Sequence, residues 1–155
     1  MQSEIASRTY DGPLFRFVVL SRSLIRQYEP DEPHIVISVT NPGLPGAVLP
    51  DLESRRAELR LRFHDTGDYG QPLGDLIVMQ DEEANAILSF IALHALDIQT
   101  IVCQCEAGMS RSAGIAAALS RILQDEDRFF YANFAPNRWV YRMLMDAHEQ
   151  RLSGK

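Results

Sequence analysis

A chain of 155 residues, 46% hydrophobic and 23% charged, has the length and balance of one soluble globular domain. Its formal net charge of −6 argues against general binding to nucleic acid or to an anionic membrane while leaving room for a local basic patch, and no apolar run approaches the length of a membrane span. With Lys155 as the only lysine, Schiff-base chemistry and a Walker-type phosphate loop are excluded as well.

Residues 1 to 12 are polar and aperiodic and read as a loosely held lead-in without a signal-peptide core, ahead of a domain over 13–155. Leu14 to Leu20 is rich in β-branched and aromatic residues and predicts a strand. Ser21 or Ser23 caps a short helix through Gln27, which Pro30 and Pro33 end. His34 to Val39 is nearly all apolar, the pattern of a strand covered on both faces. Prolines and glycines force a loop from Asn41 to Pro50, and Ala57 to Phe63 alternates as a one-faced strand. His64 to Leu73 is a loop by composition.

Asp81, Glu82 and Glu83 favour a helix N-terminus, and Ala84, Ile87, Leu88, Ile91 and Ala95 follow at helical spacing as one buried stripe. Thr100 to Cys103 reads as a strand and Ala113 to Leu123 as a helix apolar nearly all round. Asp125 to Asp127 is a solvated turn. Pro136 and Asn137 then start a last helix, with Asn137 as N-cap and Val140, Met143, Leu144 and Ala147 on one face. Strands alternating with helices imply an α/β layer architecture. Two cysteines one residue apart, Cys103 and Cys105, are no disulfide framework, so a reducing cytoplasm is the expected compartment.

The segment joining the last strand to the Ala-rich helix is Cys105-Glu-Ala-Gly-Met-Ser-Arg-Ser112. Strand, tight loop and helix start, in that order, aim backbone N–H groups and a helix dipole at one point and make an anion site. The N–H groups of Glu106, Ala107, Gly108, Met109, Ser110 and Arg111 would line it, and the planar fork of Arg111 would grip two oxygens. Cys105 would lie beneath the anion, and the Ser112 hydroxyl would give a proton to its sulfur. Gly108 permits a backbone path that a side chain would obstruct. Ser110 either assists the sulfur in the same way or shapes the loop.

The Cys-x5-Arg spacing, with Gly108 in the loop and Ser112 after it, resembles the signature of the cysteine-based protein tyrosine phosphatase superfamily, its dual-specificity-phosphatase-like branch in particular. That resemblance implies a central, mostly parallel sheet of four to five strands flanked by helices. It also implies a two-step reaction in which the Cys105 thiolate attacks phosphorus, forms a phosphocysteine and is released by water, with no cofactor or metal. Consistent with that, His34, His94 and His148 are scattered without ligand spacing. Members of the branch carry their general acid at the first aspartate after a strand like Ala57–Phe63, which assigns the role to Asp65, with Asp68 as runner-up and Gly67 and Gly70 as hinges. His64 would act as an acid or position Asp65, or is simply a surface histidine.

Three departures qualify the resemblance. The usual histidine before the cysteine is Gln104, whose amide donates hydrogen bonds without charge, so slower chemistry near neutrality is expected. Glu106 is acidic and the loop has no cation before Arg111, which favours a single phosphate on a protein tyrosine or small aryl group, with phosphoserine or phosphothreonine second, over inositol lipids or RNA ends. Cys103 reads first as a core residue and second as a resolving thiol against over-oxidation. Among Tyr69, Phe129, Phe130 and Tyr131, one is free to line a substrate cleft. Two other functional classes stay open: a phosphate-binding pseudophosphatase, and a sulfurtransferase or arsenate reductase. The oligomeric state is unassigned.

Overall fold

The computed structural model describes residues 2–66 and 74–154, with side chains from Glu4 onward. Asp68, Tyr69 and the two hinge glycines, Gly67 and Gly70, lie outside the described residues. In chain order the elements are α1 (Gln2–Ser7), β1 (Thr9–Asp11), β2 (Arg16–Leu20), α2 (Arg22–Ile25), β3 (His34–Thr40), β4 (Arg55–Arg62), α3 (Asp81–His94), β5 (Thr100–Gln104), α4 (Arg111–Gln124), α5 (Arg128–Asn133) and α6 (Arg138–Leu152). A 3-10 turn, Ala95–Asp97, follows α3.

The strands form one sheet in the order β1-β2-β5-β3-β4, parallel throughout except for the antiparallel β1. β5, which feeds the signature loop, is thus central, and every residue of it is buried. β3 beside it is buried along its whole length, as its apolar run requires. The outer strand β4 alternates half-buried Ala57, Leu59 and Leu61 with exposed Arg56, Glu58, Arg60 and Arg62. Charges along a sheet edge discourage pairing with another chain.

Alternation along the central strands divides the core in two. Phe17, Val19, Ile35, Ile37, Ile101 and Cys103 face the layer made by α3, α4 and α6. Val18, Leu20, Val36 and Val102 face the other side, covered by Leu24 and Ile25 of α2 together with Tyr28, Ala47 and Leu49. All ten residues from Arg111 to Ser120 of α4 are buried, as expected for a helix packed centrally on the sheet. α3 buries Ala84, Ile87, Leu88 and Ile91, the stripe read from spacing.

Two differences from the sequence reading bear on the site. The lead-in over residues 1 to 12 carries a helix and a strand, with Thr9, Tyr10 and Asp11 registered against Val18, Phe17 and Arg16. Local periodicity could not signal a three-residue strand, because pairing with β2 rather than propensity holds it. α5 was hidden behind the acidic run, where Asp125 closes α4 in the left-handed conformation (φ 58) and Asp127 precedes the new helix.

Candidate active site

The signature loop begins where β5 ends and closes at the first residue of α4. Cys105 is 2% exposed, and its backbone N–H donates to Leu20 O (3.2 Å), tying the loop's origin to β2. Sγ lies 3.0 Å from Ser112 Oγ and accepts from the Ser112 N–H at 3.5 Å. The sulfur thus lies at the N-terminus of α4.

The loop is held from outside through its carbonyls. The Ser110 carbonyl accepts from Gly114 N (2.8 Å) and Asn137 N (3.0 Å), and that of Met109 accepts from Ala135 N (3.0 Å). The Glu106 carbonyl accepts from Arg22 N (3.1 Å), and the Glu106 carboxylate lies 3.6 Å from Arg22 Nη1. Among the described residues, the N–H groups of Glu106 through Arg111 are donated to no protein acceptor. Carbonyls turned outward and amides unspent is the arrangement that an anion-binding loop needs.

Gly108 is required at its position. It has φ +67, and a Cβ there would stand 2.5 Å from Ser21 N and 2.6 Å from the Leu20 carbonyl carbon, both backbone atoms. Gly108→Ala is therefore expected to displace the loop from β2 and to abolish anion binding. The left-handed backbone alone costs roughly 1–2 kcal/mol before the clash is counted. Titration with vanadate, followed by the thermal shift, checks this.

Arg111 is 5% exposed. Its Nη1 donates to Asn41 Oδ1 (2.6 Å) and to Phe63 O (2.8 Å), so the guanidinium is clamped by the ends of β3 and β4. Its Nε is buried and donates to nothing among the described residues. An unmet buried donor costs about 1–3 kcal/mol, and such atoms in a folded protein call for an explanation.

Asp65 follows β4 and is exposed, yet it is fixed to the loop. Its Oδ1 accepts from Ser110 Oγ (2.7 Å) and from Asn137 Nδ2 (2.9 Å), while the same amide nitrogen donates to Thr66 O (2.7 Å). Asn137 does two jobs at once, since its Oδ1 caps α6 by accepting from Val140 N (3.0 Å). Gly114 makes that approach possible, because a Cβ there would meet Asn137 O at 2.8 Å. Ser110 thus serves the carboxylate rather than the sulfur, and Ser112 serves the sulfur.

His64 makes no hydrogen bond to the Asp65 carboxylate among the described residues. Its Nδ1 accepts from Ile77 N (2.8 Å) and its backbone N–H donates to Ile77 O (2.7 Å), which closes the base of the loop carrying Asp65. Gln104, 1% exposed, accepts from Ser38 Oγ across the β3–β5 register and donates to Cys105 O (3.0 Å). The amide therefore fixes the loop's origin by hydrogen bonds without a charge. Cys103 is wholly buried in β5, and desolvation pushes its thiol far above the usual cysteine range. That environment suits a protonated core residue and not a resolving thiol.

Arg8, read as part of the lead-in, reaches the loop as well. Its Nη1 donates to both Val19 O and Gly108 O at 3.0 Å, and its guanidinium lies 5.5 Å from the Phe134 ring centroid. No sequence signal marks it, because the contact spans a hundred residues. Of the aromatic residues left open, Phe129 and Phe130 pack against Tyr10 and Phe17, whereas Tyr131 is exposed. Tyr131, Asp65, Ser110, Phe134, Asn137 and Arg138 line an open groove of about 450 Å³ that meets the loop at Ser110. Among the described residues, no three His, Cys, Asp or Glu side chains converge as a metal ion would need.

No protein-family model matches the chain, and no curated protein sequence matches it. Solved structures do. The human tyrosine phosphatase-like serine/threonine/tyrosine-interacting protein superposes with a TM-score of 0.63 at 14% identity, over 93% of this chain and 97% of that one. Human DUSP28 superposes with a TM-score of 0.56 at 17% identity, over 95% and 99%. Tk-PTP in its active form gives 0.56 at 13% identity, over 93% and 97%. The chain has the fold of the dual-specificity-phosphatase-like, cysteine-based phosphatases.

Proposed function

We propose that the protein hydrolyses phosphomonoesters, protein phosphotyrosine first among them, through a phosphocysteine on Cys105. The observation that carries this reading is the pairing of spent and unspent groups around the loop. The sulfur of Cys105 is held by Ser112, while the buried Nε of Arg111 and the amides of Glu106 to Arg111 keep their donors for an anion.

In the first step the Cys105 thiolate attacks phosphorus and the bond to the ester oxygen breaks. Negative charge on the three equatorial oxygens meets the loop amides and the Arg111 guanidinium, which need no reorganisation. The leaving oxygen takes a proton from Asp65. Because Oδ1 of Asp65 already accepts two hydrogen bonds, Oδ2 is the oxygen that carries this proton. In the second step water attacks phosphorus, Asp65 takes the water proton and the P–S bond breaks. The Ser112 hydroxyl, 3.0 Å from the sulfur, stabilises the departing thiolate.

Asp65→Asn removes the proton donor while keeping the Ser110 and Asn137 contacts possible. It is expected to lower kcat/KM, which reports the step that expels the leaving group, by about 10²–10⁴-fold for alkyl or phenyl phosphates. The loss should be far smaller for esters whose leaving group needs no proton. A series of aryl phosphates of graded leaving-group pKa checks this, and a loss independent of the leaving group would remove Asp65 from the role.

One observation favours a second reading, phosphate binding without turnover. A structural neighbour is itself named as phosphatase-like and interacting. An intact Cys105–Ser112 pair and an anchored Asp65 favour turnover here. Parallel incubation with an aryl phosphate, thiosulfate and arsenate separates hydrolysis from sulfur transfer, from arsenate reduction and from mere binding.

A further inference from the structure

The groove at the loop does not end at Tyr131 and Arg138. Both residues also line a second concavity of about 410 Å³, whose other walls are Tyr141, Arg142 and Met145. Arg138 and Arg142 stand one helical turn apart on α6, and both are exposed. Neither forms an ion pair or a side-chain hydrogen bond among the described residues. By contrast, Arg16, Arg22, Arg55, Arg60 and Arg121 each face a carboxylate.

The placement works against the helix. Arg138 opens α6, where a cation opposes the macrodipole, no acidic residue sits in that first turn, and Arg142 is a like charge at i+4. Asp127, just before α5, accepts from the Tyr141 hydroxyl (2.7 Å), and Tyr141 meets Tyr131 edge-on at 5.9 Å. These contacts stiffen the aromatic wall. In a chain of net charge −6, two unpaired guanidinium groups beside the groove make a local positive site.

We infer that Arg138 and Arg142 form a second anion subsite for the substrate, one that takes an acidic or phosphorylated side chain of the peptide whose phosphotyrosine enters the Cys105 loop. The inference rests on the proposed hydrolysis of phosphotyrosine and names its substrate class as an acidic phosphopeptide. Tyr131 and Met145 would lie along the apolar stems between the two anions, and each guanidinium presents a fork to carboxylate or phosphate. The single loop arginine that argued for one phosphate at the reacting centre is unaffected, because the second charge binds outside the loop.

The test uses phosphotyrosine peptides carrying glutamine, glutamate or phosphoserine a few positions to either side of the phosphotyrosine. kcat/KM is measured for the wild type and for R138Q/R142Q, each protein normalised to its own rate on a small aryl phosphate. The wild type should favour the glutamate peptide over glutamine by about two- to fivefold at low salt, and the phosphoserine peptide more strongly. That ratio should fall towards one in the double variant and shrink as ionic strength rises. Equal turnover of the three peptides, or a preference that survives the double substitution, overturns the subsite. So does a preference for a soluble inositol polyphosphate over every peptide, which would give the arginines to a non-peptide polyanion. If no phosphate ester is hydrolysed, the proposed function fails by itself. The subsite is then judged by fluorescence anisotropy with Cys105→Ser protein, where equal affinity for the glutamine and phosphoserine peptides overturns it.

Discussion

Replacing Cys105 with serine is expected to reduce turnover of an aryl phosphate by on the order of 10⁴-fold or more, since a nucleophile and its partners act as a unit. The substitution is nearly isosteric and keeps the contact with Ser112 and the tie of the backbone to Leu20, so the loop survives and still binds phosphate. Loss of chemistry with retention of binding is the expected split, read by steady-state kinetics beside an anion titration. Cys103 cannot substitute, because burial in β5 holds its thiol protonated and it has no access to solvent.

Arg111→Lys carries the second large effect. Lysine keeps the charge but loses the planar fork, and the arginine here is held by two acceptors on one nitrogen, Asn41 Oδ1 and Phe63 O. That clamp is what leaves Nε pointing its donor at nothing in the described protein. A flexible ammonium would follow the same acceptors and leave the equatorial oxygens unmet. kcat/KM is expected to fall by about 10²–10³-fold, in the range seen when one preorganised donor is removed. Vanadate affinity, which reports the trigonal-bipyramidal state, should fall in parallel with kcat/KM. A change in KM alone would place Arg111 in ground-state binding only.

Much of this architecture was legible in residue order. The apolar runs in β3 and β5, the alternation in β4 and the stripe on α3 each carry the periodicity of the element they form. The cysteine loop was legible because its chemistry is local: strand, turn and helix follow each other within a few residues. What escaped is long-range. Arg8 reaches Gly108 across the sheet, and Asn41 reaches Arg111 from the end of β3. Neither residue type at its position differs from an ordinary surface or turn residue.

Asn137 is the instructive case. N-cap chemistry accounts for its oxygen, but a cap uses only one end of the amide. The free Nδ2 holds Asp65, a link that exists because α4 and α6 meet at Gly114. In the same way, the role of Ser110 depended on where Asp65 lands, which the sequence of a glycine-rich loop does not specify.

The central claim is a covalent bond between phosphorus and the sulfur of Cys105. Acid quench of Asp65→Asn protein during turnover of an aryl phosphate, followed by peptide mass spectrometry, tests it most directly. The account predicts one added phosphoryl group, confined to the peptide that contains Cys105 and absent after Cys105→Ser. Hydrolysis that proceeds with no adduct on that peptide, or with the phosphoryl group on another residue, would contradict it.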